Sequence, residues 1–562
     1  MIAMFHPAYS KTMRRDVCVV TLANLQFGNV TFCKNMGRLI VIDTKAMPFL
    51  ADIPRHQAAL YGSATAMWFE GQETTFVQLD SRSNQIANGL IALGVKPEDR
   101  VAYLGKNMDV YYEILFGANK ARAALAAMNN RLAAPELQFV LSDSQAVVLF
   151  VAREYYEIIE SILAECPTLK TVIAIDGDHS DWTDFTPWRD GQDVADPKLS
   201  HDGEDDVLQL YTSGTTGLPK GVQLTNNNFL SFFEQAAELI WAHYDVGDPV
   251  LDAMPLFHIA GVNIGLLSLI QGAKAVILRE IHPIHILDLI EQQKIRHGFL
   301  VPAVILMLTQ TPGVRERDFS SYKIMSYGAS PIAESLLLEA ADIFGCQFTQ
   351  VYGLTETTGG ATYMLPEAHD PARGKLRSCG VPYPGTQIKC VDEDGNEVPQ
   401  GEVGEILIKS GFVMKGYWNR PEATAEAIED GWFRSGDAGY FDEEGFLYIH
   451  DRVKDMIVSG GENVYPAEVE NALFGHPDIA DVAVIGVPDE KWGEAVKAII
   501  VCKAGCSPAA EDIIAYAKSR IAGYKCPKSV DVAEVLPRNA SGKVLRRQLR
   551  EPYWEGTKRR VG

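Results

Sequence analysis

The chain has 562 residues, 47% hydrophobic and 22% charged, with a formal net charge of −22. These are ordinary globular values, and the length accommodates roughly three or four domain-sized units. The acidic balance argues against a general binder of nucleic acid or anionic membrane, and no apolar run reaches the ~20 residues of a spanning helix.

The charge is uneven: from Arg520 to Gly562 there are 11 Lys/Arg against 4 Asp/Glu, so a basic tail of +7 faces a remainder of −29. Nine cysteines without a CxxC pair form neither a disulfide framework nor a zinc site, and fit a reducing cytosol. His282 and His285 lack a nearby carboxylate pattern and read as surface histidines, not metal ligands.

In residues 1–46, Lys11, Arg14 and Arg15 precede "VCVVTLANL", but no signal-cleavage site follows. The segment reads as a peripheral extension, or as sequence upstream of a start at Met36 or Met47. From Met47 the pattern becomes regular. "FVQLDSRSNQIANGLIALGV" (76–95) predicts an amphipathic helix stopped by Gly94, and "RVAYLG" (100–105) a buried strand. "VYYEILFGANKARAALAAMN" (110–129) predicts one further helix, and "AVVLFVA" and "TVIAID" predict strands. The acidic, turn-rich stretch 181–206 reads as a loop. Beyond residue 221 the alternation continues through "AVIL", "HGFLVPAVILMLTQ" and "KIMSYGAS", which implies α/β units with parallel sheets. Residues 385–410 change to short strands with Asp-Gly and Gly turns, a compact β subdomain, and a smaller α/β unit closes the sequence.

"YTSGTTGLPKG" (211–221) follows the strand-like run "DVLQLY". Glycines let backbone N–H groups turn toward an anion, the hydroxyls of Thr212, Ser213, Thr215 and Thr216 add donors, and Lys220 adds charge. The chemistry suits a polyphosphate. The Walker template fails, however, because Leu218 and Pro219 separate Gly217 from Lys220. A glycine-rich surface linker is the competing reading of this stretch taken alone.

Four further segments decide between them: "VYGLTET" (351–357), "RSGDAG" (434–439), "DRVKDMIVSGGENVYPAEVE" (451–470) and "PRNASGKVLR" (537–546). Together, in this order, they resemble the adenylate-forming superfamily of acyl-CoA synthetases, aryl-CoA ligases, peptide-synthetase adenylation domains and luciferases, over about residues 47–550. The wording of the hinge segment is most similar to fatty acyl-CoA synthetases.

The resemblance implies an α/β fold: a large N-terminal domain of α/β subdomains with a small β subdomain (47–450), then a small mobile C-terminal α+β domain (451–562) with its hinge at 451–454. It implies that Thr212, Ser213, Gly214, Thr215, Thr216, Gly217 and Lys220 hold the ATP phosphates. Glu356 is implied as the Mg²⁺ carboxylate, helped by Thr355, since hard Mg²⁺ prefers oxygen ligands. Gly328, Ala329, Ser330, Tyr352 and Gly353 would enclose the adenine, and Asp437 and Arg452 would reach the ribose. Lys543 is implied as the catalytic lysine, His258 as a group near the reacting carboxylate, and Lys454 as the hinge pivot. Gly461, Glu462, Asn463 and Trp492 are implied at the CoA channel. Phe257, Gly261, Gly265 and Gly328 are implied around the acyl group.

The expected activity is ATP-dependent formation of an acyl-adenylate with release of pyrophosphate, then acyl transfer to CoA. No carrier-like stretch follows residue 550 in this sequence, which favours free CoA. The pocket segments "FHIAGVNIG" and "SYGAS" hold no acid for a substrate ammonium and look neutral and apolar, favouring a medium- or long-chain fatty acid. The same small residues admit a flat aryl acid, the alternative substrate. A catalytically silent acyl- or nucleotide-binding regulator is the alternative of another class, opposed by intact Lys220, Glu356 and Lys543. Expected partners are ATP, CoA, Mg²⁺ and a carboxylic acid, in the cytoplasm, with no nucleic acid and no transmembrane segment. Peripheral membrane contact and homo-oligomers are compatible with this reading.

Overall fold

The computed structural model describes residues 42–555 apart from 178, 213–218, 240–241, 453–454, 460–461, 490–491, 522 and 540–542; the side chains of 450–452, 458, 462–463 and 493 are also outside the description. Two large sheets and the helices packed on them form the main body. The first runs, edge to edge, Gly416–Tyr417, Lys220–Thr225, Asp206–Thr212, Ala124–Ala127, Arg100–Leu104, Val148–Val151, Thr171–Ala174 and Thr183–Asp184. The second runs Val381–Pro382, Thr362–Met364, Gln347–Tyr352, Ile324–Gly328, His297–Leu300, Pro249–Asp252, Lys274–Ile277, Thr65–Phe69 and Gln72–Thr75. Their central strands are parallel and buried on both faces, as helix-covered sheets require. The large core joins residues of both sheets to the helices Phe76–Ala92, Val110–Lys120 and Ile259–Ile270.

Local sequence explains the first of these helices. Thr75 accepts from Gln78 N–H, the Gln78 side chain closes the capping box, and Gly94 takes φ +83° just past the end. The helix expected over 110–129 is corrected. It ends at Lys120, Arg122 turns the chain at φ +60°, and Ala124–Ala127 is a strand between Arg100–Leu104 and Asp206–Thr212. Alanine and leucine favour helix locally, but all four residues are buried in a parallel sheet, where pairing with both neighbouring strands decides the conformation. The loop expected over 181–206 holds a short helix, Phe185–Asp190, because Phe185 and Trp188 pack on Phe150.

The compact β subdomain is present as Gln387–Val391, Gly404–Lys409, Trp432–Phe441, Ile428–Glu429 and Leu447–Arg452. The small domain pairs Ile479–Asp489 with Gly493–Cys502 and adds Ser529–Val532 in parallel, around a core that includes Ile457, Val484 and Ile513. The architecture is the mixed α/β one expected. Ile42 and Met47 are already buried in the large core, so the chain is engaged with the body before residue 47. No helix among the described residues is long and apolar enough to cross a membrane.

Candidate active site

Two neighbouring parallel strands, Ile324–Gly328 and Gln347–Tyr352, end side by side. Ligands gather outside such carboxyl ends in open α/β sheets. A cavity of about 500 Å³ opens there. Gly328, Ala329 and Ser330 line it from the first strand, Tyr352 and Gly353 from the second, and Asp437 from the β subdomain. The two backbones approach so closely that a Cβ at Gly328 would collide with the Val351 carbonyl, and Ala329 turns away at φ +66°. The Tyr352 hydroxyl donates to Asp437 Oδ2 at 2.8 Å, presenting an aromatic ring and an acceptor-only carboxylate to one space. Arg452 is the cross-strand backbone partner of Asp437.

The small domain completes the wall with Glu468, Asn471, Lys543 and Arg546. Lys543 is tied to Asn539: its N–H donates to Asn539 Oδ1 at 2.8 Å, and the Asn539 N–H donates back to its carbonyl at 2.8 Å. Three residues on, Arg546 is clamped to Glu470 at 2.7 Å. A cation whose backbone is held by Asn539 therefore lines the cavity that Asp437 also lines. Sequence-predicted residues from both domains meet here.

A second cluster forms where Thr212 and Lys220 end their strands, paired with each other across an antiparallel hairpin. The segment expected to bind phosphates thus joins two strands, unlike the strand-to-helix Walker loop; Ser213, Gly214, Thr215, Thr216 and Gly217 lie outside the described residues. Glu356, on the short turn Thr355–Thr357, is buried and receives the Thr212 hydroxyl at 3.4 Å and the Tyr417 hydroxyl at 3.0 Å. The Lys220 ammonium lies 4.8 Å from the centre of the Tyr417 ring. Sequence reasoning missed Tyr417. Its only signal is a tyrosine in "KGYWNRP", brought in when Gly416–Tyr417 pairs with Lys220–Thr225. One carboxylate with hydroxyls around it suits Mg²⁺, which keeps waters and takes its remaining ligands from phosphates. No group of three or more His, Cys, Asp or Glu side chains suited to a metal occurs among the described residues.

His258 precedes the buried helix Ile259–Ile270, with the Phe257 ring 4.7 Å from its own. Burial, reinforced by the Arg131 charge, pushes the imidazole down to about 4, so the ring is neutral at physiological pH. Its Nε2 is buried and has no hydrogen-bond partner among the described residues. Of the residues expected around the acyl group, only Gly328 lines the cavity. A Cβ at Gly261 would meet the carbonyls of Met254 and Pro255, and one at Gly265 would meet Tyr112 and Asp252, so both positions require glycine for close helix packing. The reason is the phase of the helix, which turns these two positions into the core.

Of the residues expected at the CoA channel, Trp492 is not among those that line the cavity. The strand Glu462–Val464 pairs with Ile457–Ser459, and Ser459 pairs with Gly493, which draws that hairpin toward Trp492. Trp492 is 40% exposed and Lys528 lies 5.9 Å from its ring centre. Gly461 and Lys454 lie outside the described residues, as do the side chains of Glu462, Asn463 and Arg452.

Comparison with known proteins agrees with this geometry. Residues 54–418 match the AMP-binding enzyme family and residues 468–543 its C-terminal domain. A fatty acid–[acyl-carrier-protein] ligase of Streptomyces coeruleorubidus is 42% identical over 500 residues, 88% of this chain and 95% of that protein. A feruloyl-CoA synthase of an Amycolatopsis species is 38% identical over 505 residues, 90% of this chain and 99% of that protein. A solved structure of a Mycobacterium tuberculosis fatty acyl CoA synthetase superposes with a TM-score of 0.72 at 35% identity, covering 91% of this chain and 99% of that one. The chain belongs to the AMP-binding enzyme family, within the adenylate-forming superfamily that includes the acyl-CoA synthetases.

Proposed function

We propose that the protein is an AMP-forming acid–thiol ligase that activates a carboxylic acid with ATP and passes the acyl group to CoA. The observation that carries this is the shared cavity: Lys543 of the small domain faces Asp437, Tyr352 and Gly328–Ser330 of the large one. A carboxylate is a poor acyl donor because its charge repels nucleophiles and oxide does not leave. Attack of a carboxylate oxygen on the α-phosphorus of ATP forms the acyl–phosphate bond, breaks the α–β bridge and releases pyrophosphate. The thiol sulfur then attacks the acyl carbon, gives up its proton and expels AMP.

The protein's part is positioning and charge stabilisation. Tyr352, Gly353 and residues 328–330 enclose the adenine, and Asp437 accepts from the ribose hydroxyls. Lys220, Thr212 and the loop 213–217 bind the phosphates. Lys543 bridges the acid carboxylate and the α-phosphate as charge concentrates there. Glu356, with Thr355 beside it, would hold Mg²⁺, which when bound would offset the charge of the triphosphate. His258, kept neutral, offers one hydrogen bond near the acid. Residues 451–562 form the small domain that alternates between the two steps.

The acid we assign is aliphatic, of about eight or more carbons, because each buried methylene contributes ~0.8 kcal/mol and the pocket segments carry no charge. The aryl reading is supported by the similarity to a feruloyl-CoA synthase. Pyrophosphate release with ATP across fatty acids, benzoate and cinnamates separates the two, and an aromatic acid with the highest kcat/KM would replace the aliphatic assignment. Supplying either CoA or a phosphopantetheine-bearing acyl carrier protein in the second step tests the acceptor, since one relative acts on such a carrier. Absence of pyrophosphate release with every acid would leave the silent-regulator reading.

A further inference from the structure

Thr358, the residue after the Glu356 turn, is fully buried and holds a left-handed backbone, φ 50° and ψ 27°. A β-branched residue in this region is strained, so its surroundings must impose the conformation. Two contacts do so. Its carbonyl accepts from Asn263 Nδ2 at 2.8 Å, and its hydroxyl donates to the Phe412 carbonyl at 2.7 Å. The same 412–414 segment reaches Glu356 itself, since the Met414 N–H donates to the Glu356 carbonyl at 2.8 Å. Asn263 is 6% exposed, and its Oδ1 is buried without a partner among the described residues. Its position is also close: a Cβ at Gly359 would lie 2.7 Å from Asn263 Nδ2 and 3.3 Å from Ile259.

Asn263 belongs to the helix Ile259–Ile270, which begins at His258. One amide therefore ties the helix on the acid side to the turn that carries Glu356. We propose that Asn263 is a positioning residue: it locks Thr358 in its strained conformation and so fixes Glu356, linking the acid-side helix to the metal and phosphate end of the site. The proposal rests on the reading of Glu356 as the Mg²⁺ carboxylate, but its structural half does not.

The test is a double-mutant cycle with Asn263→Ala and Thr358→Gly, because glycine adopts the left-handed region without a clamp. In the wild-type background Asn263→Ala is expected to lower kcat for pyrophosphate release about tenfold and to raise the Mg²⁺ concentration needed for half-maximal rate. In the Thr358→Gly background the same change should cost less than about threefold, whatever that background's own rate. Amide exchange gives a readout independent of catalysis. The N–H of Gly359 bonds the Leu354 carbonyl at 2.8 Å and that of Gly360 the Thr357 carbonyl at 3.0 Å, so both report on the turn. Asn263→Ala should speed their exchange about tenfold in the ligand-free protein, and much less when residue 358 is glycine. Equal losses in both backgrounds, or unchanged exchange at 359 and 360, would overturn the proposal and leave Asn263 a packing residue. If the wild type releases no pyrophosphate with any acid, the functional reading fails, and the exchange data alone still decide the clamp.

Discussion

The Tyr417 hydroxyl donates to Glu356 Oε1 at 3.0 Å while the face of the same ring lies 4.8 Å from the Lys220 ammonium. One side chain thus touches both the lysine proposed for the phosphates and the carboxylate proposed for Mg²⁺. Tyr417→Phe keeps the ring under Lys220 and removes only the hydrogen bond, so kcat/KM for Mg·ATP should fall about tenfold. Tyr417→Ala removes both contacts and should fall further. Initial rates of pyrophosphate release, titrated with Mg·ATP, measure the two losses, and equal losses would show that the ring does not matter.

Lys543 reaches the cavity only through the small domain, so its role belongs to the step for which that domain faces inward. Removing a preorganised donor from such a site costs ~2.7–4 kcal/mol, or about 10²–10³ in rate. Lys543→Ala should impose this on pyrophosphate release and leave CoA consumption from a synthetic acyl-adenylate nearly normal. Lys454→Pro should do the reverse if residue 454 is the proposed pivot, because a fixed φ there would hinder the proposed rotation without touching the phosphate site. Equal slowing of both steps by Lys543→Ala would rule out alternating use of the domain.

What was legible in the sequence follows from how the information is carried. The cavity residues Gly328–Ser330, Tyr352, Gly353, Asp437 and Lys543 lie in contiguous motifs whose small and polar residues have a local reason, and the structure gathers them. Tyr417 lies 61 positions from Glu356 and is brought to it by its strand pairing with Val222, which no local pattern records. The helix Ile259–Ile270 is buried on nearly every face, so it has no polar stripe to set its phase. Hence Gly261 and Gly265 could be placed on the helix, but not the neighbours each packs against. Ala124–Ala127 failed for a related reason: alanine states a helix preference, while the neighbouring strands impose the sheet.

Ile42 is 5% exposed, Thr44 Oγ1 donates to Glu234 at 3.2 Å, and Met47 is 4% exposed. We therefore place the dispensable extension at 1–41 rather than 1–46. A chain beginning at Ile42 should keep the melting temperature and turnover of the full protein. One beginning at Met47 should lose the burial of Ile42, about 1.5–3 kcal/mol. Thermal unfolding and pyrophosphate release on the two truncations check this, and loss of turnover in the first would make residues 1–41 part of the working enzyme.

Asp252 ends the strand Pro249–Asp252 inside the core, where the Tyr112 hydroxyl donates to its Oδ2 at 2.7 Å and its Oδ1 has no partner among the described residues. Burial pushes its carboxyl up to about 8, against the smaller opposite effect of the Tyr112 bond. Between about pH 4 and pH 8 the folded chain keeps this proton while the unfolded chain releases it. The folded state then binds more protons than the unfolded one, so this group makes stability fall as pH rises, by at most about 1.4 kcal/mol per pH unit. Asp252→Asn has nearly the same shape, retains an acceptor for Tyr112 and cannot ionise. Its melting temperature relative to wild type should therefore climb steadily from pH 5 to pH 8 and level off above. A difference that stays constant over that range would mean that Asp252 is ionised in the folded protein at neutral pH, with its charge met by a group other than Tyr112.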